Sequence, residues 1–297
     1  SIDRIVQKKQ VAQLSARSVP YQAKPHKQFD FICLGYCLFI SLFIIGIIAI
    51  CQYAALVKLW PYNLSLGLSN YNFEKMDGGG WDSYYNSIRL AFFTAIAGTL
   101  IVFTGSYMVE KTNGFASTRS AFQFLAMMPM AIPGMVLGLA YIFFFNDPAN
   151  PLNGLYGTMA ILVICTVTHF YTVSHLTAVT ALKQMDREFE SVAASLKQPF
   201  YKLFSKVTVP VCLPSILDIS IYLFVNAMTT VSAVIFLYSP DTTLASVAVL
   251  NMDDAGDVAP AAAMGMMIFY TNVGARLLHT FITRNLLGRT QAWRKNQ

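Results

Sequence analysis

The sequence predicts an all-α polytopic membrane protein with six transmembrane helices and helical elements inside one cytoplasmic loop. Three observations carry that prediction. Of 297 residues, 55% are hydrophobic and only 12% charged, about half the roughly 25% charge of an ordinary soluble domain. Six apolar runs, at 30–57, 84–109, 120–145, 156–182, 214–238 and 259–283, reach the length of about 20 residues that a helix needs to cross a bilayer. Finally, Lys and Arg favour alternate loops, and that bias sets orientation.

The basic positions give the topology. Arg4, Lys8, Lys9, Arg17, Lys24 and Lys27 precede the first run. Lys111 and Arg119 follow the second, and Lys183, Arg187, Lys197, Lys202 and Lys206 follow the fourth. Arg284, Arg289, Arg294 and Lys295 close the chain. The opposite loops hold Lys58 and Lys75 beside Glu74, Asp77, Asp82, Asp147, Asp241, Asp253, Asp254 and Asp257. Both termini are therefore expected in the cytoplasm. The net charge of +6 follows from this bias and implies no nucleic-acid partner.

The expected organisation is a basic cytoplasmic tail (1–28), a first span (29–57), an outside loop (58–83), a five-helix core (84–283) enclosing a cytoplasmic loop (183–213), and a cytoplasmic tail (284–297). The leading tail reads equally as a linker from a preceding domain. The chain opens on Ser1, so the initiator methionine was removed or the sequence belongs to something longer. The first span is too long for a cleaved signal peptide. Cys33, Cys37, Cys51, Cys165 and Cys212 lie in or at the edge of apolar runs, so packing thiols are expected rather than a disulfide framework or a metal site. Gly78-Gly79-Gly80 lacks the Lys-Ser/Thr of a phosphate loop and reads as a turn beneath an interfacial Trp81.

Inside the core, Pro129 and Pro133 remove backbone donors and must open the third span. Freed carbonyls at membrane depth are tolerated only against protein or a water-lined cavity, so this span is placed in the bundle interior beside a pathway. The fourth span carries Thr166, Thr168, His169, Tyr171, Thr172, Ser174 and His175. A proton relay is conceivable there, but without a nearby acid helix–helix hydrogen bonding explains the pattern better. Asn226, Thr229, Thr230 and Ser232 on the fifth span permit close helix approach or line a hydrophilic route. Pro129, Pro133, Asn226, Thr229, Thr230 and Ser232 are the candidate path residues. Asp218 needs a partner in the membrane, and Arg276 on the sixth span is the expected one.

The loop between spans four and five is the most informative segment. Asp186, Glu188 and Glu190 fall in the first turn of a helical stretch, where the helix dipole favours acids. Gln198-Pro199 breaks that stretch. A second helical piece from Tyr201 to Val207 sets Leu203, Phe204 and Val207 on one face and Lys202 and Lys206 on another, and ends at Val209-Pro210. Two short helices joined by a turn form a knob suited to a groove on a soluble protein.

That segment resembles the EAA loop of importer-type ABC permeases, written E-A-A, three residues, G, nine residues, I-x-L-P. With Pro210 last, Val207 and Val209 take the aliphatic positions, Lys197 the glycine, and Ser191-Val192-Ala193 the E-A-A. The chain departs from the pattern at Lys197, Ser191 and Val192, and Glu188 and Glu190 keep acid nearby. The resemblance implies a five-helix importer-permease core with cytoplasmic coupling helices, and no chemistry of the chain's own. It implies coupling through Glu188, Glu190, Ala193, Ala194, Leu196, Lys197, Leu203, Phe204, Val207, Val209 and Pro210. Implied partners are a cytoplasmic ABC ATPase dimer carrying ATP and Mg, a second permease subunit or identical copy, and a periplasmic solute-binding protein, in a bacterial inner membrane.

The strings Pro129–Gly134, Val136–Leu139 and Asn226–Leu237 look like the ferric-ion and phosphonate branch, and Asp241–Asp257 is similar to 2-aminoethylphosphonate permeases. Two other classes are weaker. An integral membrane enzyme needs clustered acids or metal ligands at depth, and an ion-coupled secondary transporter needs inverted repeats and a buried coupling residue, for which Asp218 is the lone candidate.

Overall fold

Small and hydroxylated residues recur along the second apolar run at helical spacing, and they make it the centre of the fold. The computed structural model describes residues 27–59, 62–75, 79–111, 114–185 and 188–290. The chain divides into two compact units, 1–50 and 51–297. In the first, the described residues belong to helix α1 (Lys27–Leu56), whose Phe31, Leu42 and Ile50 side chains are exposed, as suits lipid as solvent.

The second unit starts with the end of α1 and a short antiparallel hairpin, β1 (Val57–Leu59) with β2 (Asn63–Leu66). This is the one departure from an all-helical chain among the described residues. Helix α2 (Gly80–Lys111) follows. Its buried stripe Ser87, Ala91, Ala95, Gly98, Val102 and Ser106 steps by three or four residues, as one helix face does. A Cβ at Gly98 would sit 2.7 Å from Leu223 Cδ1, so the glycine allows the close approach that small residues give in membranes.

Among the described residues, three helices are long and apolar enough to cross a membrane unbroken, Lys27–Leu56, Gly80–Lys111 and Val258–Asn285, the last within α11 (Val258–Thr290). The other three expected spans are bent pairs. Helices α3 (Ala116–Met127) and α4 (Gly134–Phe145), joined through a 3-10 turn at Met128–Ala131, bend by 112°. This is the break that Pro129 and Pro133 predict. Helices α5 (Met159–His169) and α6 (Tyr171–Gln184) bend by 57°, where a continuous helix was expected.

After α7 (Glu188–Ser195), α8 (Phe200–Val211) and α9 (Leu213–Thr229) meet at 74°. The expected fifth span to residue 238 therefore stops early: Thr230 is extended at φ −69°, ψ 136°. Its carbonyl accepts the Ser246 hydroxyl at 2.6 Å, so the backbone freed by unwinding is satisfied by protein. Ser246 lies on α10 (Ala245–Asp254), a helix absent from the sequence reading, with Ala245, Ser246, Val247, Ala248 and Met252 buried. Gly256 at φ +90° ends it, with Gly256 N–H donating to Asp253 and Asp257 N–H to Met252, a left-handed C-terminal turn.

Polar side chains fasten the helices. Ser106 Oγ lies 2.8 Å from His175 Nδ1, Thr172 Oγ1 donates to the Ala126 carbonyl at 2.8 Å, and Tyr141 and Thr168 share a hydroxyl bond of 2.9 Å. These are the interhelical bonds expected of the fourth span. The Asp218–Arg276 bridge is corrected: Asp218 Oδ1 lies 3.5 Å from His279 Nε2. Arg276 and His279 sit three residues apart on α11, and sequence depth alone does not separate two neighbours on one face.

Candidate coupling loop and path

The loop between α6 and α9 owes its shape to three local decisions. Glu188 and Glu190 open α7 where its dipole favours negative charge. At the other end Lys197 adopts φ +50°, with its N–H donating to the Ala194 carbonyl and the Gln198 N–H to Ala193, both at 3.0 Å. That pairing is a Schellman motif, which usually places glycine at the left-handed position. Lys197 stands where the EAA pattern has its glycine, and its backbone there is left-handed. Pro199, extended at ψ 148°, then starts α8.

The third decision lies in α8. Pro210 has no N–H to give to the carbonyl four residues back and would clash with it. The helix answers with a π-helical stretch at Phe204–Thr208, the widened turn by which an extra residue is absorbed. Phe204 then reaches into the core, its ring 4.7 Å from that of Tyr107 and 5.9 Å from that of Phe103. It packs with Val207 and Val209 on a buried cluster of Val102, Phe103 and Tyr107 from α2, Ala178 and Leu182 from α6, and Ile219 and Leu223 from α9.

Eleven sequence-derived coupling positions therefore divide by direction. Phe204, Val207 and Val209 face inward, and Glu190 pairs with Lys111 at 2.5 Å. Glu188, Ala194, Leu196, Lys197 and Pro210 are exposed, while Ala193 and Leu203 are half-buried. Phe189, Val192, Phe200 and Tyr201, which the sequence reading did not single out, are exposed apolar side chains on the same two helices, as is Leu196. Phe189, Val192 and Leu196 stand at i, i+3 and i+7, the spacing that could have found them.

The candidate path residues come together only in part. Gly134, just after Pro133, packs so closely that an added Cβ would collide with Ser232 Oγ and lie 3.1 Å from His169 Cε1. At Gly138 it would lie 2.7 Å from the Ala233 carbonyl oxygen. Helix α4 thus lies directly on the unwound segment after Thr230. Asn226 and Thr229 spend their donors on their own helix, on the carbonyls of Tyr222 and Val225, and Thr230 is buried towards α10. None of the six candidate path residues lines the cleft of about 420 Å³ formed by Met130, Val173, Leu176, Thr177, Thr180, Ala181, Gln184 and Ser215. Thr177, Thr180 and Gln184 recur at steps of three and four along α6, a polar stripe the sequence reading passed over. Among the described residues no group of three or more His, Cys, Asp or Glu could hold a metal ion.

Residues 99–288 match the family described as binding-protein-dependent transport system inner membrane component. The chain is 28% identical over 233 residues to the ferric transport system permease protein FbpB of Actinobacillus pleuropneumoniae, covering 77% of this chain and 33% of that protein. It is 33% identical over 196 residues to the putative FbpB 1 of Haemophilus influenzae, covering 64% and 30%. It thus spans about a third of the length of these curated relatives. The putative 2-aminoethylphosphonate transport system permease protein PhnV of Salmonella paratyphi A is 26% identical over 239 residues, 78% of this chain and 85% of the relative. Among solved structures, a chain of a bacterial alginate ABC transporter, crystallised with an alginate pentasaccharide-bound periplasmic protein, superposes with TM-score 0.70 at 12% identity, covering 87% of this chain and 94% of that one. A chain of the inward-facing MetNI methionine ABC transporter gives 0.53 at 13% identity, covering 69% and 93%. At such identities the likeness is one of fold.

Proposed function

The chain belongs to the binding-protein-dependent transport system inner membrane component family, and on that premise we propose that it is the transmembrane permease subunit of an ATP-driven importer. It works by alternating access and catalyses no reaction itself. ATP and Mg are held by a separate cytoplasmic ATPase dimer. A second permease, identical or not, completes the pathway, and a periplasmic binding protein delivers the solute. The protein sits in a bacterial inner membrane with both termini, which lie outside the described residues, on the cytoplasmic side.

One observation carries this reading: the two-helix loop has an inward face locked into the core and an outward apolar face at Phe189, Val192, Leu196, Phe200 and Tyr201. Large exposed apolar patches on otherwise polar elements mark protein contacts. This outward face meets the ATPase, and Ala194 and Lys197 border it. The solute passes the junction of Pro133, Gly134 and Ser232 and leaves along the cleft lined by Thr177, Thr180 and Gln184.

The solute proposed is 2-aminoethylphosphonate. Support comes from Asp241–Asp257 and from a relative of that name matched over most of its own length. Ferric ion is the second reading, favoured by the higher identity to a ferric permease.

The test has two arms. Val192→Asp combined with Phe200→Asp should abolish ATPase co-purification while the protein still reaches the membrane; retained association would sink the docking assignment. In the unaltered importer, binding-protein-dependent uptake is compared for 2-aminoethylphosphonate, ferric citrate and thiamine. Uptake of ferric iron alone would overturn the phosphonate assignment.

A further inference from the structure

The C-terminal end of α2 holds an ion pair with the first turn of α7. Lys111 Nζ lies 2.5 Å from Glu190 Oε1, and the Lys111 side chain is only 7% exposed, against 35% for Glu190. One turn before Lys111, Tyr107 sets its ring against that of Phe204 on α8, 4.7 Å away. Two residues of α2 thus grip both helices of the loop, one by charge and one by an aromatic wedge.

A buried ammonium that loses its carboxylate is costly. The first turn of α7 therefore does not leave α2 freely: moving α7 means breaking the pair or taking α2 along. Helix α2 is also the element that packs on α5, α6, α9 and α10. Its small-residue stripe holds it tightly against α9 at Gly98 and Leu223.

We propose that Lys111 is a positioning residue for energy coupling: its pair with Glu190 is a strut that transmits displacement of the coupling helix to the central span α2. Glu190 thereby acts inside this chain rather than on the ATPase surface. The strut does not hold the ATPase, and it has no part in hydrolysis. This inference rests on the permease reading, and its test separates the two.

The experiment uses the complete importer in proteoliposomes, with three readouts: ATPase co-purification, ATP hydrolysis, and solute taken up per ATP hydrolysed. Lys111→Met keeps the length and apolar stem of the side chain and removes the charge. It should keep co-purification and hydrolysis within about twofold but cut uptake per ATP by about tenfold, inside the range of roughly 5- to 150-fold typical of coupling between sites. Lys111→Arg should retain coupling, and the reversed pair Lys111→Glu with Glu190→Lys should recover much of what either single reversal loses. A purely structural role would lower co-purification and hydrolysis together and leave uptake per ATP unchanged, which overturns the proposal. So would a reversed pair no better than its singles. Should Lys111→Met fail to accumulate, Glu190→Gln at the more exposed end is read for uptake per ATP with the same criterion. Failure of the unaltered importer to bind an ATPase would instead sink the permease reading.

Discussion

Replacing Lys197 with glycine tests whether the coupling turn is as strained as its geometry implies. Lys197 sits at φ +50°, where a side chain crowds the following carbonyl at a cost of about 1–2 kcal/mol. Glycine removes that crowding but loses more backbone freedom on folding, about 0.5–1 kcal/mol. Taken at their midpoints, the two effects leave a net stabilisation of about 0.75 kcal/mol for the closed turn, equivalent to about three- to fourfold rarer local opening and correspondingly slower exchange. The reporter is the Gln198 amide, which donates to the Ala193 carbonyl at 3.0 Å only while the turn is closed. Hydrogen exchange of peptides spanning Glu190 to Phe204, corrected for intrinsic rates, should show that slowing in Lys197→Gly. Lys197→Val, β-branched at positive φ, should show faster exchange. Equal or faster exchange in the glycine variant would refute the assignment of a strained left-handed turn.

Other predictions follow from contacts elsewhere. Gly138→Ala drives a methyl into the Ala233 carbonyl, 2.7 Å away, and backbone cannot rotate aside. It should cost about 1–3 kcal/mol and lower the melting temperature in detergent, whereas Gly274→Ala, with nothing within 4 Å, should not. Ser106→Ala strips the buried His175 of its Nδ1 partner and should cost about 1–3 kcal/mol in the same assay. Adding His175→Phe should recover part of it, because removing both polar partners is nearly neutral. Asp218→Asn should change stability by less than about 0.5 kcal/mol, since its carboxylate is 61% exposed beside His279. A larger loss would show that this pair is buried in the assembled membrane protein.

The sequence reached some of this architecture and missed the rest for identifiable physical reasons. Pro129 and Pro133 announce their break because proline removes a donor wherever it stands. The bend at Phe170 has no such residue. It is set by tertiary contacts, His169 against Gly134 and the Phe170 ring 6.2 Å from that of Tyr222, which no local pattern encodes. Helix α10 is too short to register as a span, and its Ala, Ser and Val residues look like loop until Thr230 and Ser87 bond to it. In the coupling loop the spacing to Pro210 was legible. Which face turns inward was not, because α7 and α8 carry apolar residues on both sides. Glu190 draws its partner Lys111 from the C-terminal end of α2, and long-range pairing of that kind leaves no local trace.

The π-helical stretch at Phe204–Thr208 has a consequence for how this loop can change over evolution. It fixes the phase of α8. One residue more or fewer between Pro199 and Pro210 would rotate everything before the stretch by about 100°. Phe204 would leave its place beside Tyr107, and Phe200 and Tyr201 would swing off the outward face. Substitutions that preserve size and polarity leave the phase intact. The segment should therefore tolerate exchange of its side chains far better than any change in its length, and a random library of single-residue insertions and deletions would find that interval closed.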